Sequence, residues 1–175
     1  MPFTVLHMGP GLALKALAGR HFSLITFGVS QVAMDVEPLI RLVGGSHVLH
    51  GPTHTYLAAL VIAGIVAVVS PPICRFVLRR WNQELGLHRL SWLTVSESVA
   101  PLPVIVGAFA GTIFHVFLDS LMHSDMSAIA PWSAANGLEG LVTAPSLHAF
   151  CVVSGLIGFS LWFSIAWFNK EGRHK

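Results

Sequence analysis

Charged residues make up only 10% of the 175-residue chain and hydrophobic residues 54%, with a mean hydropathy of +0.71; ordinary soluble domains carry about 25% charge. That composition excludes a water-soluble globular protein and points to an integral membrane protein. A net charge of +2 says little about nucleic acid, but no basic face interleaved with aromatics is present, so no nucleic-acid partner is expected.

The pattern predicts an all-α fold: a polytopic membrane helical bundle of about four to five segments, forming a single integral-membrane domain over residues 1–175. The first segment, residues 3–19, is short and interrupted by Gly9, Pro10 and Gly11, and is expected either to span or to enter as a half-helix. It has no cationic n-region or small-residue cleavage site, so it does not read as a cleaved signal peptide. Residues 22–43 carry Asp35 and Glu37, and Pro38 is expected to bend or end the helix there. Residues 57–78 are the clearest span, roughly 33 Å long as a helix, with Pro71 and Pro72 expected to kink it near its end. "RRWNQELGLHRLSWLTVSES" then reads as a basic surface segment anchored by Trp81 and Trp92. A fourth segment covers residues 99–122. After the loop 127–145, a lid, lipid-facing lip or connector with Trp132 at interface depth, residues 147–168 close the bundle, followed by "NKEGRHK". Cys74 and Cys151 lie in apolar runs and read as buried hydrophobes without a disulfide.

Lysine and arginine set the expected orientation. In an alternating five-span arrangement Lys15, Arg20, Arg75, Arg79, Arg80, Arg89, Lys170, Arg173 and Lys175 share one side, and Arg41 stands alone on the other. The positive-inside rule makes the cationic side cytoplasmic, with the N-terminus out and the C-terminus in, in a bacterial inner membrane.

Ten histidines outnumber the eight acidic residues, and the frame gathers the unusual ones. His7, Asp35, Glu37, His50, His54, His115, Asp119, His123 and His148 all fall towards the extracytoplasmic end. In "FHVFLDSLMHSDM" His115, Asp119 and His123 recur every four residues, so they share one helical face. An Asp at bilayer depth costs about 2.5–3.5 kcal/mol and needs a partner or a watery cavity. A divalent cation is a partner that several helices can share, and imidazole with carboxylate suits zinc first, with manganese, iron or nickel as alternatives. The supply exceeds what one ion needs and allows two, with Asp119 or Asp35 bridging; a pair about 3.5–4 Å apart suits phosphoester displacement. The expected metal ligands are His7, Asp35, His50, His54, His115, Asp119 and His123, with Asp125 and His148 as possible additions. Glu37 is the candidate general base, and Asp35 the second catalytic carboxylate. His21, His47, His88 and His174 read as structural or surface histidines, and Glu139 as a solvated loop acid. No nucleotide-binding Gly-rich loop, nucleophile elbow or Cys-based metal motif is present.

"MPFTVLHMGPG", "MDVEP", "LHGPTHTY" and "FHVFLDSLMHSDM…PWSAAN", in that order, resemble the bacterial membrane-bound metal-dependent hydrolases, the family that includes LexA-regulated inner-membrane members. The resemblance implies a multi-span helical protein with a hydrolytic metal site on His7, Asp35, His54, His115 and Asp119, with His50 and His123 added. Many relatives read Asp-x-Asp where this chain has Asp35-Val36-Glu37. The order His, Asp, His, then His-x-x-x-Asp is more loosely similar to soluble zinc-dependent phospholipases C and single-strand nucleases. Together these lead to an expected metal-dependent hydrolase acting on a small-molecule or lipid phosphoester, a phospholipid or lipid-linked phosphate. The alternative is a divalent-metal or proton-coupled transporter, because membrane His and Asp also line ion pathways. The inner halves "IAGIVAVV" and "SGLIGFSLWF" read as closed to ions and favour the enzyme.

Overall fold

Five helices follow from five apolar stretches. The computed structural model describes residues 5–172, with side chains described over 6–169. The helices are α1 (Met8–Ala18), α2 (Leu24–Val43), α3 (Tyr56–Leu87), α4 (Pro101–Met122) and α5 (Ala144–Gly172), and no strand occurs among the described residues. The sequence marks their starts. Ser23 accepts from Thr26 N at 3.2 Å to cap α2, Thr55 accepts from Ala58 N at 3.1 Å to cap α3, and Pro101 opens α4. The residues Met1–Thr4 of the first motif, the Lys170 side chain, Arg173, His174 and Lys175 lie outside the described residues.

Three helices are long and apolar enough to cross a membrane: Tyr56–Leu87, Pro101–Met122 and Ala144–Asn169. The 20-residue α2 has the length but carries Asp35, Glu37 and Arg41. The 11 residues of α1 rise only about 16 Å.

The helices continue through their internal prolines. Helix α2 runs through Pro38 to Val43. Its ring is buried, and the Glu37–Arg41 pair, 2.8 Å apart, supports the turn that follows. Helix α3 likewise continues past Pro71 and Pro72 to Leu87, so the first half of the supposed surface segment is helix. Asn82 then pins the returning chain, bonding Val95 O at 2.9 Å and Val95 N at 3.0 Å, while Trp92 packs edge-on against Phe163 and Trp167 of α5.

Glycines let the helices approach closely and reveal their directions. Gly9 lies against the Cys151 backbone, Gly155 against Gly9, and Gly158 against Leu12 and Ala13, so α1 and α5 run parallel. Gly107 meets Ser23 and Thr26, and Gly111 meets Phe27 and Ser30, so α2 and α4 are parallel as well. Helix α3 runs opposite to them: Ser70 and Cys74 meet Thr26, while Ala63, Val66 and Ala108 form one apolar cluster and Ala59, Met34 and Val116 another. This alternation brings the start of α1, the end of α2, the start of α3, the end of α4 and the start of α5 to one end of the bundle.

Candidate metal centre

That end holds a buried carboxylate ringed by imidazoles. Asp119, on the last turns of α4, is 4% exposed. Its Oδ2 lies 3.1 Å from His115 Nε2, 3.8 Å from His54 Nε2 and 3.8 Å from His50 Nε2; its Oδ1 lies 3.7 Å from His7 Nε2. Asp35, from α2, places Oδ1 3.5 Å from His115 Nε2. Ligand atoms on a tetrahedral ion with arms of 2.0–2.1 Å sit about 3.3 Å apart, within the range of these spacings.

Three of the imidazoles are held from behind, which fixes where their lone pairs face. Gln31, one turn before Asp35, donates its amide to Gly111 O at 3.0 Å, so Oε1 faces His115 Nδ1 at 2.8 Å and makes that nitrogen the N–H. Thr53 donates its hydroxyl to the Glu37 carboxylate and thus accepts from His54 Nδ1, 3.1 Å away. Asp125 accepts from His50 Nδ1 at 2.7 Å, and also from the backbone N–H of Leu49 and His50. In each ring Nδ1 carries the proton and Nε2 presents a lone pair to Asp119, the arrangement in which metal-binding histidines are held.

Several of the inward-facing imidazole nitrogens are left without hydrogen bonds. His7 Nδ1, His7 Nε2, His54 Nε2 and His115 Nε2 are buried with no hydrogen-bond partner. An orphaned buried polar atom costs about 1–3 kcal/mol; a cation at the cluster would satisfy Nε2 of His54 and His115 and one nitrogen of His7. Burial, and then the neighbouring His115, push the His54 imidazole down to about 4 against the pull of Asp119, so it is neutral at pH 7. The donor set therefore fits a divalent ion. Four overlapping groups can hold one: His7–His115–Asp119, Asp35–His54–His115, His50–His54–Asp119 and His50–His123–Asp125.

The last group shares His50 with the third. A separation of 2.7 Å between His50 Nδ1 and Asp125 is a hydrogen bond, shorter than a ligand–ligand edge, so Asp125 fits an orienting role better than a ligating one. Burial alone would raise its carboxyl, but the His50 and Leu49 donors hold it down at about 2. His123 caps the end of α4 and lies half-buried beside His50, with ring centroids 4.3 Å apart, at the rim of the cluster. His148, on the first turns of α5, is exposed and joins none of the four groups.

Glu37 sits behind the cluster. Its carboxylate receives Arg41 Nε at 2.8 Å, Thr53 N at 3.0 Å and the Thr53 hydroxyl; its approach to a site histidine is 3.9 Å, to the outward-facing Nδ1 of His54. Gly51 is tied to this pair, since a Cβ there would overlap both the Glu37 carboxylate and the Arg41 guanidinium.

The sequence reading missed Gln31 and Thr53. Gln31 precedes Asp35 by four residues on one helical face, a signal that could have exposed it, and Thr53 lies inside the quoted "HGPTH". It also missed Asn136, whose amide donates to Ser120 O and His123 O at 2.9 Å each and so ties the 127–145 loop to the end of α4. The start of that loop is packed, with Met126 and Ala128 buried and Tyr56 N bonded to Ala128 O at 2.8 Å, while Trp132 is 77% exposed. No family model, curated protein or solved structure matches the chain.

Proposed function

We propose that this chain is a membrane-embedded, metal-dependent hydrolase of a phosphoester, with its metal centre at the extracytoplasmic face of a bacterial inner membrane. The carrying observation is the set of Nε2 atoms turned onto Asp119, three of them oriented from behind by Gln31, Thr53 and Asp125. Five segments cross or enter the bilayer in this reading, N-terminus out and C-terminus in. Arg41, the one cation on the outer side by sequence, is neutralised by Glu37. The resemblance to membrane-bound metal-dependent hydrolases supports the same reading.

One or two divalent ions, zinc foremost, would supply Lewis acidity to a phosphoryl oxygen and acidify the attacking water. Asp119, with one oxygen towards His7 and the other towards His50, His54 and His115, is suited to bridging two ions. Asp35 is the carboxylate on the inner wall, available as a ligand or as the base that orients water. Glu37 takes a different role from the general base expected of it: bound by Arg41 and Thr53, it positions His54 through the Thr53 hydroxyl. In this reading substrate comes from the outer leaflet or the periplasm.

One observation bears on the transporter reading. Buried polar side chains continue beyond the cluster, from Gln31 through Ser30 and Thr26 to Ser70 and Cys74. Ser30 bonds the carbonyls of Thr26 and Ala108, and Thr26 pairs with Ser70, as in interhelical contacts between membrane helices. No carboxylate or imidazole occurs in this string, so it offers a cation no charged ligand.

The test uses detergent-solubilised, zinc-loaded protein with phospholipid and generic phosphodiester substrates, and sealed proteoliposomes containing a metal-sensing dye. Metal-dependent product release without a dye response is expected. Saturable metal entry without cleavage of any phosphoester would overturn the hydrolase in favour of transport.

A further inference from the structure

The end of the bundle opposite the histidine cluster contains a second feature, a cavity of about 510 Å³. This is within the roughly 300–1,000 Å³ typical of small-molecule sites. It lies between the α1–α5 pair and the α2–α3–α4 group, and Phe22, Ile25, Val77, Val104 and Phe159 contribute apolar wall. Lys15 and Arg20 also line it, as do Trp81 and Trp162, and no carboxylate is among its lining residues. The lysine is built in: its ammonium donates to Gly19 O and Phe22 O, both at 2.8 Å, which commits two of its three N–H groups and anchors the charge at the α1–α2 turn. Arg20, next to that turn, is exposed. Lys15 follows His7 by eight residues, about 12 Å along the helix, so this site is separate from the metal cluster.

We infer that the cavity binds an anionic phospholipid, one acyl chain among the apolar walls and the headgroup phosphate beside Lys15 and Arg20. Three observations fix the occupant. The walls are apolar, and Val77, Val104 and Phe159 come from the three helices of membrane-spanning length, so a hydrocarbon chain fills them better than water. The polar lining carries two cations and no acid, which matches a phosphate and gives a zwitterionic headgroup's ammonium no carboxylate to pair with. Tryptophan at the same level belongs at headgroup depth. In the proposed orientation this end faces the cytoplasmic leaflet, where anionic lipid and basic residues meet.

The test is native mass spectrometry of the purified full chain equilibrated with equal phosphatidylglycerol and phosphatidylcholine. Wild type should retain phosphatidylglycerol preferentially. Arg20→Glu should lower that retention at least fivefold, the effect of about one surface cation. Val77→Trp, at a 39% exposed wall position, should narrow the cavity and lower retention of both lipids. Circular dichroism and gel filtration confirm that each variant is folded. Equal retention of the two lipids by wild type, or phosphatidylglycerol retention unaffected by either folded variant, would overturn the proposal.

Discussion

Replacing Gln31 by Leu should weaken zinc binding about 10- to 100-fold, although Gln31 need not touch the ion. Gln31 and His115 are both buried, and the 2.8 Å contact to Nδ1 is what keeps the His115 proton on the side away from Asp119. With the acceptor gone, the ring has two options. It can keep an unsatisfied buried N–H, at about 1–3 kcal/mol. Alternatively, it can move the proton to Nε2 and donate to Asp119 Oδ2, 3.1 Å away, which blocks the lone pair a metal needs. Metal binding at Nε2 forces the first state and forfeits the Nε2–H···Asp119 bond of the second, and the expected 10- to 100-fold corresponds to about 1.4–2.7 kcal/mol. Gln31→Glu keeps an acceptor opposite Nδ1 and should retain most of the affinity. The assay is competition with a chromophoric chelator, on detergent-solubilised protein at pH 7.5. Wild-type affinity in Gln31→Leu, or equal losses in the Leu and Glu variants, would refute the argument that the amide sets the histidine tautomer.

Other consequences follow from the same geometry. Gly51→Ala should displace the Glu37–Arg41 pair and the turn bearing His54, lowering both thermal stability and zinc affinity, because its Cβ has no space beside those side chains; unchanged melting and affinity would contradict this. In metal-stripped protein, His54 stays neutral down to about pH 4, whereas an unfolded imidazole takes a proton near 6.5, so stability falls as pH drops through that window. The full effect for this one group is about 3 kcal/mol, of which about 2 is lost by pH 5. Melting temperatures should therefore fall more steeply between pH 7.5 and 5 in wild type than in His54→Gln, and parallel curves would count against it. A cysteine placed at exposed Ala135 should react with an impermeant thiol reagent in intact cells, while wild type, with Cys74 and Cys151 both buried, should not. Labelling only after lysis would reverse the proposed orientation.

The sequence was most legible where periodicity and burial coincide. The five apolar stretches became five helices because each is long enough to form helix and is bounded by caps, turns or proline. The convergence of His7, Asp35, His50, His54, His115 and Asp119 followed from alternating those helices, since an alternating bundle must bring alternate ends together. Less legible were effects set by tertiary partners. Pro38 does not end its helix, because its ring is buried and the Glu37–Arg41 pair supports the next turn. Glu37 read as an unassigned carboxylate near the site because nothing in the sequence says that Arg41 and Thr53 will occupy it. Gln31 and Thr53 were overlooked for a related reason: residues that orient ligands are neutral and common, and only three-dimensional contact distinguishes them. His148 lies at the same end of the bundle, as topology placed it, but it is exposed and joins none of the four ligand groups.

The most direct test is the metal content of the purified protein. Wild type and Asp119→Asn should be purified in parallel, stripped, reloaded with zinc, desalted and measured by mass spectrometry of the element, with circular dichroism as the control for folding. Asp119 contributes oxygen on both sides of the cluster, so its loss should affect every ion there. Between one and two zinc ions per wild-type chain, with near-complete loss in a still-helical Asp119→Asn, is the predicted result. Wild type that retains no more metal than the variant would contradict the metal centre.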